Sequence, residues 1–211
     1  MSTLVSLFIG ILIIFAIIAI VWRQSSRRSS IPCPSWLGWM VELDNPFFRN
    51  NRAREIIRHL ELEPEMQVLD FGCGPGRLTI PVAKQITPGG SVTAFDIQEG
   101  MLQRVREKAQ VENVDNIQFI HGAAGEGKLG HGVYDRVLLV TVLGEIPDQK
   151  TALAEVFEGL RSGGILSVTE VIADPHFQRH DNVRSVAESV GFKEKIIFGH
   201  RFSYTINFEK P

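Results

Sequence analysis

Three hydrophobic patterns divide the chain. Leu4 to Val21 is an almost unbroken run of Leu, Ile, Val, Phe and Ala, and no charged side chain occurs from Met1 to Trp22. At about 1.5 Å of rise per residue, a helix of this length reaches across the roughly 30 Å hydrocarbon layer of a bilayer. The pattern predicts a transmembrane anchor over residues 1–22. A cleaved signal peptide is the rival reading, but it would carry a positive residue in front and a shorter apolar region, whereas Arg23, Arg27 and Arg28 follow the run here. Those arginines orient the anchor, because the positively flanked end stays on the cytoplasmic side. The expectation is a single-pass membrane protein whose following domain is cytoplasmic.

Residues 23–44 lose that pattern. Their Ser/Arg portion reads as a solvated linker able to rest on anionic headgroups. Trp36 and Trp39, with Phe47 and Phe48 just beyond, then cluster in a mixed context. Two compatible readings stand: a helix packed as a lid on the domain, or interfacial anchoring by aromatic rings.

From Asn45 to Pro211 helical and strand periods alternate. Helices are predicted over Phe47–Leu60, Gly76–Ile86, Gly100–Gln110, from the capping residue Asp148 to about Leu160, and over Asn182–Val190. Strands are predicted over Gln67–Phe71, Ser91–Asp96, Ile117–His121, Arg136–Val140, Ile165–Thr169, Lys195–Phe198 and Phe202–Phe208. Strands alternating with helices of this length predict an α/β, doubly wound, mostly parallel sheet in one domain, residues 45–211.

Composition narrows the function. The chain has 211 residues, a formal net charge of −2 and no long basic run, so nucleic acid is not an expected partner and small molecules are. Cys33 and Cys73 lie far apart in unlike contexts, which argues against a disulfide framework. His176 and His180 lack companions at ligand spacing, so no metal site is expected.

The chemistry concentrates in "VLDFGCGPG", residues 68–76, where Gly72, Gly74 and Gly76 alternate directly after an apolar strand. In a doubly wound sheet the first strand-to-helix turn holds the ligand, and glycines let the backbone turn tightly and approach it. Asp96 ends the next strand, twenty residues after Gly76, where an acid hydrogen-bonds ribose hydroxyls. A dinucleotide site, as in an NAD-dependent oxidoreductase, is the first alternative. However, the spacing is G-x-G-x-G, Pro75 removes an N–H donor, and Asp70 would repel a phosphate while favouring a cationic amine.

With these residues quoted, the chain resembles the class I S-adenosylmethionine-dependent methyltransferases over about Glu65 to Ser189. "VLDFGCGPG" is similar to their first motif, "VTAFDIQ" to their ribose-binding acid and "LRSGGILSVTE" to their fifth-strand motif. The resemblance implies a Rossmann-like seven-stranded sheet whose last strand is antiparallel, with S-adenosylmethionine as cofactor. It implies that Asp70 and the Gly72, Cys73, Gly74 and Gly76 backbone meet the methionine portion, Asp96 the ribose and Ile97 the adenine face. In "HGAAGE" an alanine, Ala123, stands where relatives carry an acid. Backbone of Ala123 and Ala124 is then expected at the adenine, with Glu126 a displaced candidate for the acid. The same "AAGE" stretch and the anchor-then-domain order resemble the small membrane-anchored thiol methyltransferases.

Methyl transfer needs positioning above all. A hydroxyl or ammonium acceptor also needs a base, for which Glu145, Glu170, His176 and His180 are the candidates. The expected acceptor is a small lipophilic molecule: a phospholipid amine, a quinone-like ring or a thiol. A membrane-tethered protein that binds the cofactor without turning it over is the non-catalytic alternative.

Overall fold

The computed structural model describes residues 48–211 without a break and, before them, only residues 5–7, 9, 10, 13, 17, 42 and 44. Most of the expected anchor, and Arg23, Arg27, Arg28, Cys33, Trp36, Trp39 and Phe47, lie outside the described residues. Among the described residues no helix is long and apolar enough to cross a membrane.

Seven strands form one sheet: β1 (Gln67–Phe71), β2 (Ser91–Asp96), β3 (Ile117–His121), β4 (Tyr134–Val140), β5 (Leu160–Val171), β6 (Lys193–His200) and β7 (Ser203–Glu209). Their order is β3-β2-β1-β4-β5-β7-β6. The first five pair in parallel, while β7 runs antiparallel between β5 and β6. This is the doubly wound arrangement expected, with the reversed seventh strand. Order reverses between β1 and β4, which opens a crevice at the carboxyl ends of the central strands.

Helices α1 (Ala53–His59), α2 (Thr79–Gln85), α3 (Glu99–Val111), α4 (Gln149–Gly159) and α5 (His180–Ser189) cover the two faces. β1 is buried along almost its whole length because both faces are covered: Leu69 and Phe71 belong to the core cluster that includes Leu153 and Val156 of α4, and Val68 to the one that includes Ile56 of α1 and Val82 of α2. Phe71 stacks on Phe95 of β2 with centroids 4.6 Å apart. Asp148 caps α4 as expected, accepting from the Thr151 amide at 3.0 Å, a contact that stabilises a helix by about 1 kcal/mol.

Three expectations need correction. The helix expected over Phe47–Leu60 is broken at Arg52, whose backbone is extended, leaving a 3₁₀ turn at Arg49–Asn51 before α1. The helix expected from Gly76 starts only at Thr79, because Gly72, Gly74 and Gly76 all take positive φ in the preceding loop. β5 begins at Leu160 rather than Ile165: "RSGG", expected as a turn, continues the strand through a register shift opposite Tyr134 and Arg136.

Candidate active site

The glycine loop is tied to the neighbouring strand before any ligand arrives. The Gly72 and Cys73 amides donate to the Phe95 carbonyl at 2.8 and 3.0 Å. The Asp96 carboxylate then accepts from the Gly74 amide at 2.9 Å through one oxygen and from the Gln98 amide at 2.8 Å through the other. A β-carbon on Gly72 would meet Val142 Cγ2 at 2.5 Å, so only glycine lets this loop pass the β4 exit. Arg77 staples the preceding segment to the loop, donating to the Asn51 carbonyl at 2.6 Å and pairing with Asp44 at 3.2 Å.

Above the loop lies a cleft of about 470 Å³ at the carboxyl ends of β1, β2 and β4. Gly72, Gly74, Asp96, Ile97, Ala123 and Ala124, all anticipated at a cofactor, line it, and Ile97 remains 54 % exposed. Glu145 lines it too, on a 3₁₀ turn at Leu143–Glu145.

Other anticipated residues stand elsewhere. Asp70 is buried beneath the loop, where it accepts from Thr79 Oγ1 at 2.6 Å and orders the start of α2. Burial pushes its carboxyl up to about 6. The Cys73 side chain packs with Ile80, Leu102 and Val105 in the core, and burial pushes its thiol well up. Gly76 serves α3: a β-carbon there would press on Val105 Cγ2 at 3.1 Å. Glu126 is exposed and paired with Lys128 at 2.8 Å, yet its carboxylate stays beside the cleft: it accepts from the Ala123 amide, and a β-carbon on Gly122 would meet Glu126 Oε2 at 3.0 Å. His180 joins Arg184 and Glu194 in a surface network between α5 and β6, which removes it from the site.

Glu170 and His176 sit just outside the cleft wall and build it. Glu170 accepts from the Gln178 amide at 3.0 Å, and Tyr204 Oη donates to the Gln178 carbonyl at 2.7 Å, which fixes the segment after β5. That segment brings Asp174 into the cleft and His176 Nδ1 to 3.6 Å from Glu145 Oε1 and 3.9 Å from Asp174 Oδ1. The companions His176 lacked along the sequence are thus supplied by the fold. Gly144 makes the approach possible, since any β-carbon there would collide with the His176 carbonyl oxygen. Among the described residues no group of three or more His, Cys, Asp or Glu could hold a metal ion.

Among the described residues, every charged one lining the cleft is acidic: Asp96, Glu145, Asp148 and Asp174. Burial pushes Glu145 up to about 8, and the charges of Asp174 and Asp96 push in the same direction. Glu170, 1 % exposed, is raised to about 8, again chiefly by burial. The wall therefore holds a carboxyl that exchanges a proton near neutral pH, in a cleft suited to a cationic ligand.

Residues 62–199 match a family model described as a methyltransferase domain. The chain belongs to that family. It is a class I S-adenosylmethionine-dependent methyltransferase by family, and the nicotinamide alternative is set aside. A demethylmenaquinone methyltransferase of Listeria welshimeri is 32 % identical over 114 residues, 54 % of this chain and 48 % of that protein. One from Staphylococcus aureus is 30 % identical over 117 residues, 56 % and 48 %. The chain spans about half the length of these curated relatives. In fold it is similar to a SAM dependent methyltransferase from Aquifex aeolicus, with a TM-score of 0.75 at 16 % identity over 85 % of this chain and 100 % of that one.

The cofactor of this methyltransferase family is S-adenosylmethionine, and the residues present fit it. Each Asp96 oxygen accepts one backbone N–H and keeps lone-pair capacity for ribose hydroxyls. Ile97 offers an apolar platform for the adenine, and the acidic lining suits a ligand bearing an ammonium and a sulfonium. Thr141, Met101 and Asp174 also line the cleft and were not anticipated. Thr141 holds φ +56 at the exit of β4, a strained conformation with no sequence signal, whereas Asp174 was visible within "DPHFQRH" but shared its stretch with two more conspicuous histidines.

Proposed function

We propose that this chain transfers the methyl group of S-adenosylmethionine to a small lipophilic acceptor with a quinone-like ring, at a membrane surface. The observation that carries the reading is Glu145: a carboxyl in the cleft wall, raised to about 8, which in its ionised form takes a proton from a ring hydroxyl. The cleft walls around it are apolar, with Phe71, Val142, Ile146 and Pro147 available to an aromatic acceptor. The curated relatives named demethylmenaquinone methyltransferase support the same acceptor class.

When bound, S-adenosylmethionine supplies an electrophilic methyl group on a sulfonium. The chain's own work is to orient, to exclude water and to move one proton. Asp96 and the Gly72–Gly74 backbone hold the ribose and methionine ends. The segment ordered by Glu170 closes the acceptor end and positions Glu145 through His176. Holding the reacting atoms near attack distance provides most of the acceleration, and Glu145 receives the proton the acceptor gives up.

Residues 4–21 hold the domain at the bilayer in this reading, with the domain on the cytoplasmic side. Two features support it: the uncharged apolar run itself, and the helical positions Val5, Leu7, Ile9, Ile13 and Ile17, whose side chains are each half or more exposed. A lipid-dissolved acceptor then meets the domain at high local concentration.

Mass spectrometry of lipids and metabolites after incubating membranes with methyl-labelled cofactor tests the reading. Label is expected in a quinone-like lipid. Label in phospholipid amines or in thiols reassigns the acceptor, and cofactor binding with no S-adenosylhomocysteine formed replaces catalysis by cofactor sensing. Deleting Met1–Ser30 should leave cofactor affinity unchanged and lower methylation in membranes severalfold. Release of the full chain by alkaline carbonate removes the anchor.

A further inference from the structure

The turn joining β6 to β7 stands at the same end of the sheet as the cleft. β7 pairs antiparallel with β5, so that Ser203 faces Val171, and the Ile172 amide donates to the Phe202 carbonyl at 2.8 Å. Asp174 of the cleft wall is two residues further on. The tip His200–Arg201–Phe202 therefore borders the acceptor end. All three residues are exposed, Phe202 by 41 %, and the Arg201 guanidinium lies 4.5 Å over the Phe202 ring.

The segment arriving from the amino terminus packs on this tip. Asn50 Nδ2 donates to the Ser203 carbonyl at 3.2 Å, and a β-carbon on Gly199, at φ +98, would meet Asn50 Nδ2 at 2.5 Å. Between residues 48 and 58 that segment carries Arg49, Arg52, Arg54 and Arg58 against Glu55, a net charge of +3 in a chain whose net charge is −2. Positive charge is thus concentrated where the chain comes from its apolar amino-terminal run and passes the rim of the cleft. The Arg49 side chain is 74 % exposed, with its guanidinium 3.4 Å from a Glu55 carboxylate that Arg58 also holds at 2.7 Å.

An exposed aromatic ring under an arginine, near a cluster of further arginines and bordering a substrate cleft, matches the chemistry of a bilayer interface. Aromatic rings settle at the headgroup level, and guanidinium forks bind phosphates. We propose that the β6–β7 tip, with Arg49 and its neighbouring arginines, docks on anionic lipid headgroups and turns the acceptor end of the cleft toward the bilayer. This rests on the membrane location argued above and adds to it an orientation. An anchor alone holds the domain near the membrane; the docked tip sets which end faces the lipid. An apolar acceptor then passes from bilayer to cleft beside Phe202 with little exposure to water.

The test uses the full chain in nanodiscs of phosphatidylcholine alone or mixed with phosphatidylglycerol, with hydrogen exchange of the peptide covering residues 199–203 as the readout. Exchange there should slow in anionic discs relative to zwitterionic ones, and high salt should reverse the difference. Arg201→Gln and Arg49→Gln should each weaken docking about fivefold, the effect of one arginine near an anionic surface, and Phe202→Ser should weaken it further. Unchanged cofactor affinity in each variant shows that the fold is intact. Equal exchange in the two lipids, variants that keep full protection, or protection already present in detergent without lipid would each overturn the proposal. Should alkaline carbonate extract the protein, the anchor fails on its own account, and flotation of the full chain with anionic against zwitterionic vesicles still decides the docking.

Discussion

Replacing Glu170 with Gln should make the fold more stable relative to wild type as pH rises, although Glu170 helps to build the active-site wall. The carboxyl is raised from an ordinary 4.5 to about 8 by burial at the end of β5, with Asp174 and Glu145 adding to the shift. In the unfolded chain it ionises near its ordinary value. A raised folded pKa means that its contribution to stability is fully present below about pH 4.5 and is lost progressively up to about pH 8. At pH 7 folding must restore a proton two and a half pH units above the ordinary pKa; at about 1.4 kcal/mol per unit the loss is about 3 kcal/mol. Glutamine cannot titrate, and its carbonyl still accepts from the Gln178 amide. Its NH₂ takes the place of Oε1, which has no hydrogen-bond partner among the described residues, and leaving those donors unsatisfied costs about 1–3 kcal/mol independently of pH. The decisive quantity is therefore the change with pH. Relative to wild type, Glu170→Gln should gain about 3 kcal/mol between pH 4 and pH 7, or roughly 6–12 °C in melting temperature for a domain of this size. Thermal unfolding followed by near-ultraviolet circular dichroism in mild detergent across that range measures it. Parallel stability curves for the two proteins would refute the claim that Glu170 is buried as a neutral acid.

Asp96→Ala should weaken S-adenosylmethionine binding by about 1–3 kcal/mol in calorimetry, because ribose hydroxyls lose a charged acceptor and the Gly74 and Gln98 amides lose theirs. Gly72→Ala places a methyl group against Val142 at a positive φ and should cost about 1–3 kcal/mol of stability in denaturant unfolding, together with most of the cofactor affinity; a variant indistinguishable from wild type would show that the loop is not tightly held. Glu145→Gln should lower kcat by about 10²–10⁴ with cofactor affinity unchanged. In the wild type kcat should rise with pH through about 8, as Glu145 loses its proton, and the variant should lack that limb.

Local pattern by itself determined much of this protein. Mainly apolar runs bounded by turn residues placed β1, β2 and β3 at their observed limits: β1 and β2 are buried almost throughout, the edge strand β3 only in part, and each ends where the chain turns. The glycine spacing and Asp96 marked the cofactor end of the cleft, since the first strand-to-helix turn and the end of the second strand are adjacent in any sheet wound this way. The acceptor end was different. Glu145 and Asp174 are 29 residues apart and come together only because β4 and β5 pair in parallel and Gly144 admits the His176 carbonyl, a contact no periodicity records. Tertiary structure alone also decided which way side chains point within a recognised stretch: Asp70 and Cys73 are buried while Gly72 and Gly74 line the cleft, and His180 goes to the surface from the same short run that puts Asp174 inside. Sequence spacing determines the succession of elements, whereas proximity among side chains depends on how loops from different strands pack against one another, and that packing is a property of the assembled fold.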